Sequence, residues 1–374
     1  MRGDNERKRQ IPMSDNRIHV RASREYDVVI GSGLLADSGK LVAEAVPKAT
    51  KLLIVSETNV APLYMDTVAS SLREAGFEVT EYVFEAGEKS KNIDTVADMW
   101  ASMAKAGFTR TDAVIALGGG VTGDMAGFAA ASFLRGIRVV QIPTSLLAQV
   151  DASVGGKTGI DLPEGKNQVG AFHQPSMVIE DTDCLKTLPK DKFTEGMGEV
   201  LKYAFIMDTK LYDKLARYAE DGKAMDLQND PAALADIVRR CVEDKAEVIT
   251  EDEHDTGRRQ ILNYGHTIGH VIERNSGYTK DHGICVAMGM GIMTDCCYAA
   301  GRMDKDTYGK MIGLINSYGL PADDDITPDD AVSGAMNDKK KRGDVISLIL
   351  VNKIGEAEIV PMTPDEYHDF LTGR

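Results

Sequence analysis

The sequence has no run of about 18 consecutive apolar residues, so none of its helices is predicted to cross a membrane. Cysteine is sparse: Cys184, Cys241, Cys285, Cys296 and Cys297 are odd in number and show no C-x-x-C spacing. That excludes a disulfide framework and a cysteine zinc site, and it points to a reducing, cytoplasmic setting. Cys296 and Cys297 lie in an apolar run and read as small core residues. Positive charge is in deficit, with 43 Lys and Arg against 58 Asp and Glu, a formal net charge of −15. Such a surface repels nucleic acid, so any cationic cluster at a site must be local. Residues 1–16 carry charge but no apolar h-region, so they read as a flexible tail and not as a secretory leader. Internal repeats and low-complexity tracts are also missing.

What remains is an ordinary globular composition, 43% hydrophobic and 27% charged, in a chain of 374 residues, too long for one compact core. Arg17–Val20 and Tyr26–Ile30 read as paired strands ahead of Gly31-Ser-Gly33. Lys51–Ser56, Val79–Phe84, Ala113–Leu117, Arg138–Ile142 and Met177–Ile179 are short runs rich in β-formers, the most apolar of them of the buried parallel-strand type. Helical-period segments at 61–75 and 92–107 separate them. The alternation predicts an α/β, Rossmann-like N-terminal domain over 17–187, with a doubly wound, mostly parallel sheet. From 188 to 374 the texture turns mainly helical, with stretches at 191–220, 231–252, 263–274, 282–301 and 304–318. Short β-like runs appear there only at 345–351 and 357–361.

Gly118-Gly119-Gly120-Val121-Thr122-Gly123-Asp124 follows a strand and opens a helix, where backbone N–H groups and the helix dipole suit a diphosphate. It is not G-x-G-x-x-G, so the ordinary dinucleotide fingerprint is missing. Asp124 beside a phosphate turn needs another task, such as accepting a hydrogen bond from a cofactor hydroxyl or orienting a polar substrate. The string Gly155-Gly156-Lys157-Thr158 looks like the end of a P-loop. It fails on spacing, because Asp151 stands where the first glycine is required. The segment then reads as a flexible, glycine-punctuated stretch presenting Asp151, Lys157, Lys166 and Asn167, with Arg135 upstream.

Three of the seven histidines lie between 266 and 282. His266 and His270 are spaced i, i+4 on one helix face, and His282 opens the next helix. Glu199 and Lys202 share a face of an earlier helix. Two histidines, one carboxylate and an open position form a catalytic zinc pattern, with either His266/His270 or His266/His282 as the pair. Thr267-Ile268-Gly269 occupy the place of a zincin's general base, which argues against peptide hydrolysis.

Taken together, Gly118–Gly127, Ile142–Thr158, Pro163–Pro175, Gly196–Tyr203, Leu262–Glu273, His282–Gly289 and Asp338-Lys339-Lys340 resemble the 3-dehydroquinate synthase family of sugar-phosphate cyclases. The resemblance implies Glu199, His266 and His282 as ligands of one divalent ion, Zn2+ or Co2+, and leaves His270 for proton transfer. It implies NAD against Asn59, Glu88, Lys91, Gly119, Gly120, Val121, Asp124, Thr144, Ser145, Lys157, Lys166 and Thr187. Substrate contacts fall on Arg135, Asp151, Lys157, Asn167, Lys202, Lys245, Arg259, Asn263 and His270, with one lysine from Lys339–Lys341. Ser145 stands where threonine is usual and keeps the hydroxyl. Ile284 replaces the usual glutamate after His282-Gly283, which removes a charge beside that histidine.

The implied reaction converts an anionic sugar phosphate, 3-deoxy-D-arabino-heptulosonate 7-phosphate, to 3-dehydroquinate by transient oxidation, phosphate loss, re-reduction and aldol closure. A homodimer is expected. Arginine suits a planar carboxylate and lysine a phosphate, and both occur in the substrate set. Other cyclases, which make valiolone or scyllo-inosose products, and an NAD- and metal-dependent polyol dehydrogenase are the competing readings. The complete set of ionisable groups argues against a non-catalytic scaffold.

Overall fold

The computed structural model describes residues 17–337 and 345–374. The 1–16 tail and the Lys339–Lys341 run lie outside the described residues. Seven strands form one sheet in the order β1-β2-β9-β6-β5-β3-β4. They are β1 (Arg17–Val20), β2 (Tyr26–Gly31), β3 (Lys51–Glu57), β4 (Glu78–Phe84), β5 (Ala113–Gly118), β6 (Arg138–Pro143) and β9 (Met177–Asp181). Only β1 runs antiparallel to its neighbour; the other pairings are parallel. β5 is buried along its whole length and β3 at every residue but its two ends, as expected of apolar runs covered on both faces.

The helices α1 (Ser38–Ala45) and α2 (Ala61–Glu74) cover one face through Leu41, Val42, Met65, Val68 and Leu72. On the other face, α3 (Ile93–Lys105) and α4 (Gly120–Ser132) pack through Val96, Met99, Met103, Met125 and Ala129. Strand order reverses between β3 and β5, so the loops after these strands splay apart. That is where open α/β sheets form a ligand crevice.

The stretch between β6 and β9 differs from its sequence reading. It is not a flexible loop: a π-helical turn, Ala148–Ala152, leads into an antiparallel hairpin of β7 (Lys157–Leu162) and β8 (Gly165–Phe172). Buried Ile160 anchors the hairpin in the core under α3 and α4. Its glycines obscured the alternation that marks a strand.

The rest of the described residues are mainly helical: α5 (Lys190–Ile206), α6 (Thr209–Glu220), α7 (Pro231–Glu251), α8 (His266–Asn275), α9 (His282–Ala299), α10 (Lys305–Ser317), α11 (Pro328–Asn337) and α12 (Pro364–Thr372). One further hairpin joins β10 (Ile346–Lys353) to β11 (Glu356–Met362). The stretch read as one helix over 191–220 is two, because Asp208 accepts from the amides of Lys210 and Leu211 and caps α6. Likewise α8 begins at His266 and not at 263, since Gly265 turns the chain at φ 77°. A single apolar core ties these helices to the β1–β2–β9 end of the sheet through Ile18, Val28, Leu146 and Val178. All five cysteines are buried and free. Among the described residues, no helix is long and apolar enough to cross a membrane.

Candidate metal centre and nucleotide crevice

Three helices converge on one point. The carboxylate of Glu199 on α5, the ring of His266 at the start of α8 and that of His282 at the start of α9 place ligand atoms within 4.8 Å of one another. Glycine permits the crossing: a Cβ on Gly198 would lie 2.3 Å from the Gly283 carbonyl oxygen, and one on Gly283 would lie 1.9 Å from that of Glu195. His266 Nε2 lies 3.3 Å from Glu199 Oε1, and His282 Nε2 lies 3.4 Å from the same oxygen. Each Nδ1 turns outward, His266 to the Tyr264 carbonyl at 3.1 Å and His282 to Glu273 Oε2 at 3.4 Å. This is how metal-binding histidines are held, with the second nitrogen fixing tautomer and ring plane.

Of the two histidine pairs that spacing left open, the cluster contains His266/His282. His270 sits beside it, its ring centroid 5.4 Å from that of His266 and 5.8 Å from that of His282.

The donor set fits a divalent cation. Glu199 is buried, and neither of its oxygens accepts a hydrogen bond, although Lys202 lies in ion-pair contact with it. A buried carboxylate left so poorly satisfied is costly without a further positive partner. Burial pushes His266 down to about 4, against the pull of Glu199, and so keeps a neutral ring with a free lone pair. At His282 burial also opposes charge, but Glu199 and Glu273 outweigh it and lift the group to about 10. Two carboxylates thus focus negative potential where a cation would sit.

A pocket of cations lies alongside. Asp151, on the π-helical turn, accepts hydrogen bonds from Tyr203 Oη at 2.7 Å and Lys245 Nζ at 2.8 Å. Lys202 Nζ stands 3.9 Å from it. Burial alone would raise the Asp151 carboxyl; Lys202 and Lys245 together hold it below the usual range. Lys202 is held above its ordinary value by Asp151 and Glu199, despite burial. Lys245 goes the other way: burial dominates and brings it down to about 8.

Arg259 is buried and donates to the Gly155 carbonyl at 3.3 Å and to the Glu253 carbonyl, with Nε unpartnered. Asn263 closes the same short turn, Arg258–Asn263. Lys157 is half exposed and pairs with Asp255 at 2.7 Å. Arg135 is not brought to the trio within this chain. It sits on an exposed turn before β6, with φ 70°, at the far end of that strand from Thr144.

The residues expected to meet a dinucleotide fall just past the C-terminal ends of consecutive parallel strands. Asn59 follows β3, Glu88 and Lys91 follow β4, and Gly119, Gly120, Val121 and Asp124 follow β5. Thr144 and Ser145 follow β6, and Thr187 follows β9. Gly119 caps α4 without a side chain, and a Cβ there would meet nothing closer than Ser145 Oγ at 3.5 Å. Uncovered amides at a helix start fit a diphosphate. The partly buried Asp124 has Lys91 as its partner at 2.7 Å, and Lys91 also donates to Asn167 Oδ1 at 2.6 Å. Lys166, on β8, bonds Glu273 at 2.6 Å and lies 3.2 Å from Glu88.

Two groups escaped the sequence reading. Tyr203, next to Lys202, holds Asp151. Glu273 supplies His282 with the carboxylate whose absence at Ile284 the family pattern had implied. Burial opposes its charge, but His282 and Lys166 hold it down at about 2. Its spacing of three from His270 and seven from His266, on one helix face, was the available signal.

With this geometry in view, the comparisons are specific. The family described as 3-dehydroquinate synthase N-terminal matches residues 81–195, and that described as 3-dehydroquinate synthase C-terminal matches residues 196–341. A 3-dehydroquinate synthase of Streptococcus suis is 44% identical over 349 residues, covering 92% of this chain and 96% of the relative. One of Lactococcus lactis is 43% identical over 350 residues, with the same coverage.

Among solved structures, a 2-epi-5-epi-valiolone synthase from Streptomyces hygroscopicus with NAD+ and Zn2+ bound superposes with a TM-score of 0.85 at 28% identity. That match covers 95% of this chain and 98% of the other. A 2-deoxy-scyllo-inosose synthase complexed with carbaglucose-6-phosphate, NAD+ and Co2+ gives 0.83 at 25% identity, covering 95% and 99%. An iron-containing alcohol dehydrogenase, at 15% identity and a TM-score of 0.67 over 95% and 98%, shares the fold. The chain belongs to the 3-dehydroquinate synthase family.

Proposed function

We propose that the chain converts 3-deoxy-D-arabino-heptulosonate 7-phosphate to 3-dehydroquinate and phosphate, the second step of the shikimate pathway, with NAD and one divalent ion, Zn2+ or Co2+. The observation that carries this reading is the Glu199–His266–His282 cluster set between a strand-end crevice and a buried cation pocket. When bound, the ion and the dinucleotide supply a Lewis acid and a reversible hydride acceptor.

The residues divide the remaining work. Glu199, His266 and His282 hold the ion, and the turn Gly119–Val121 with Lys91, Asp124, Thr144, Ser145 and Lys166 holds the nucleotide. Arg259 suits the planar carboxylate of the substrate, whereas Lys157 and Asn167 suit its phosphate. Lys202 and Lys245, fixed by Asp151, keep the pocket positive and the sugar oriented. His270, beside the ligand cluster, takes the proton of the C5 hydroxyl. The enclosed geometry then favours ring closure over escape of the open chain. We further propose a homodimer in the cytoplasm.

The resemblance to valiolone and scyllo-inosose synthases sustains a second reading, another sugar-phosphate cyclase; the higher identity to dehydroquinate synthases favours the first. Following phosphate and absorbance at 340 nm together separates a cyclase from a dehydrogenase. The expected outcome is stoichiometric phosphate with no net NADH. NADH accumulating in step with substrate loss would refute a cyclase. Equal turnover of a hexose 6-phosphate would move the assignment to the second reading.

A further inference from the structure

Glu273 touches both halves of the site. Its buried carboxylate faces His282 Nδ1 with one oxygen, at 3.4 Å, and Lys166 Nζ with the other, at 2.6 Å. Beyond it the contacts continue with alternating sign. Lys166 lies 3.2 Å from Glu88, Glu88 lies 3.9 Å from Lys91, and Lys91 bonds Asp124 at 2.7 Å. Lys166 also stands over the Tyr278 ring, 5.0 Å from its centroid, which limits its swing. An unbroken path of charge contacts therefore runs from a proposed ligand of the metal centre to Asp124 in the second turn of α4, beside the crevice at the strand ends.

We infer that Glu273 is a positioning residue that sets the ring of His282 and, by sharing its carboxylate with Lys166, couples filling of the metal centre to filling of the nucleotide crevice. This rests on the proposed function, in which Glu199, His266 and His282 hold the ion and Lys166 faces the dinucleotide. The physical reason is competition for one carboxylate. A cation on His282 Nε2 polarises the ring and strengthens the bond from Nδ1–H to Glu273, which loosens the hold of Glu273 on Lys166. A nucleotide phosphate that draws Lys166 away leaves Glu273 a better acceptor for Nδ1–H, and so makes Nε2 a better ligand. The two events favour each other, and the coupling factor must be the same read from either side.

The test uses the full chain. Zn2+ affinity is measured by competition with a chromophoric chelator, with and without saturating NAD+. NAD+ affinity is measured by calorimetry, with and without Zn2+. The expected result for the unaltered protein is a reciprocal increase within the roughly 5–150-fold range of such couplings. In Glu273→Gln, Zn2+ binding should weaken about 10–100-fold and the coupling factor should fall to near one. Lys166→Met should lose the coupling and raise the Zn2+ affinity measured without NAD+ toward the value the unaltered protein shows with NAD+, which a merely structural role for Glu273 would not produce. Glu199→Gln separates the two levels. If it abolishes Zn2+ binding while Glu273→Gln leaves affinity and coupling intact, the inference alone is wrong. If Glu199→Gln leaves Zn2+ binding unchanged, the metal assignment fails and the inference with it.

Discussion

Lys245 and His270 carry the two residue-level consequences that are easiest to measure. In the free protein, burial brings the Lys245 ammonium down to about 8 even though Asp151 stabilises its charge. The anionic substrate needs the protonated form, and rising pH removes the proton. The value of kcat/KM, which reports the free enzyme, should therefore fall as pH passes about 8. Bound substrate raises the lysine again, so the limb in kcat should lie at higher pH. In Lys245→Arg the kcat/KM limb should leave the range below pH ~10, because guanidinium stays charged. A limb unchanged in that variant would assign it to another group. His270 lies beside the proposed metal ligands without joining their cluster, so His270→Ala should retain Zn2+ and NAD+ while losing roughly 10²–10⁴-fold in turnover. Loss of the metal in that variant would contradict the division between His270 and His282.

At the scale of elements, the site depends on how closely α5, α8 and α9 approach, and this was only partly legible in the sequence. Glu199, His266 and His282 could be picked out because metal ligands are few in kind and their residue types are distinctive. Spacing could not choose between His270 and His282, because that choice is made by the crossing of α9 over α5, a tertiary fact. Glu273 was overlooked since a glutamate on a helix ordinarily faces water, and nothing local announced its burial. The β7–β8 hairpin was hidden for another reason: its glycines lower strand propensity, while pairing and the burial of Ile160 override that preference. The parallel strands were readable because burial on both faces leaves a continuous apolar run.

The crossing itself yields a prediction. Gly283→Ala would drive a methyl group to within 1.9 Å of the Glu195 carbonyl unless the helices part. Overpacking of this kind costs about 1–3 kcal/mol. The variant should melt several degrees lower and bind Zn2+ more weakly, since His282 is the neighbouring residue. Unchanged melting and unchanged Zn2+ affinity would mean that the approach of α5 and α9 does not position the ligand.

For the whole molecule, the main contrast is between a surface of net charge −15 and an interior where Lys202, Lys245 and Arg259 are all buried beside Asp151 and Glu199. Removing such ions from water is expensive, and a core built for stability alone would do better with apolar residues. Retaining them fits a site made to hold an anionic substrate against the protein's own field, next to the candidate metal centre of Glu199, His266 and His282. The sheet contributes the candidate nucleotide crevice and the helices contribute the proposed metal ligands. The chain's core from β1, β2 and β9 into α5–α9 keeps the two in register.

The most direct test of this account is phosphate release from 3-deoxy-D-arabino-heptulosonate 7-phosphate in the presence of NAD+, before and after complete metal removal by a chelator. The account predicts release that stops on metal removal and returns when Zn2+ or Co2+ is added, with no NADH accumulating at any stage. Phosphate release that continues at full rate in the metal-free protein would contradict it.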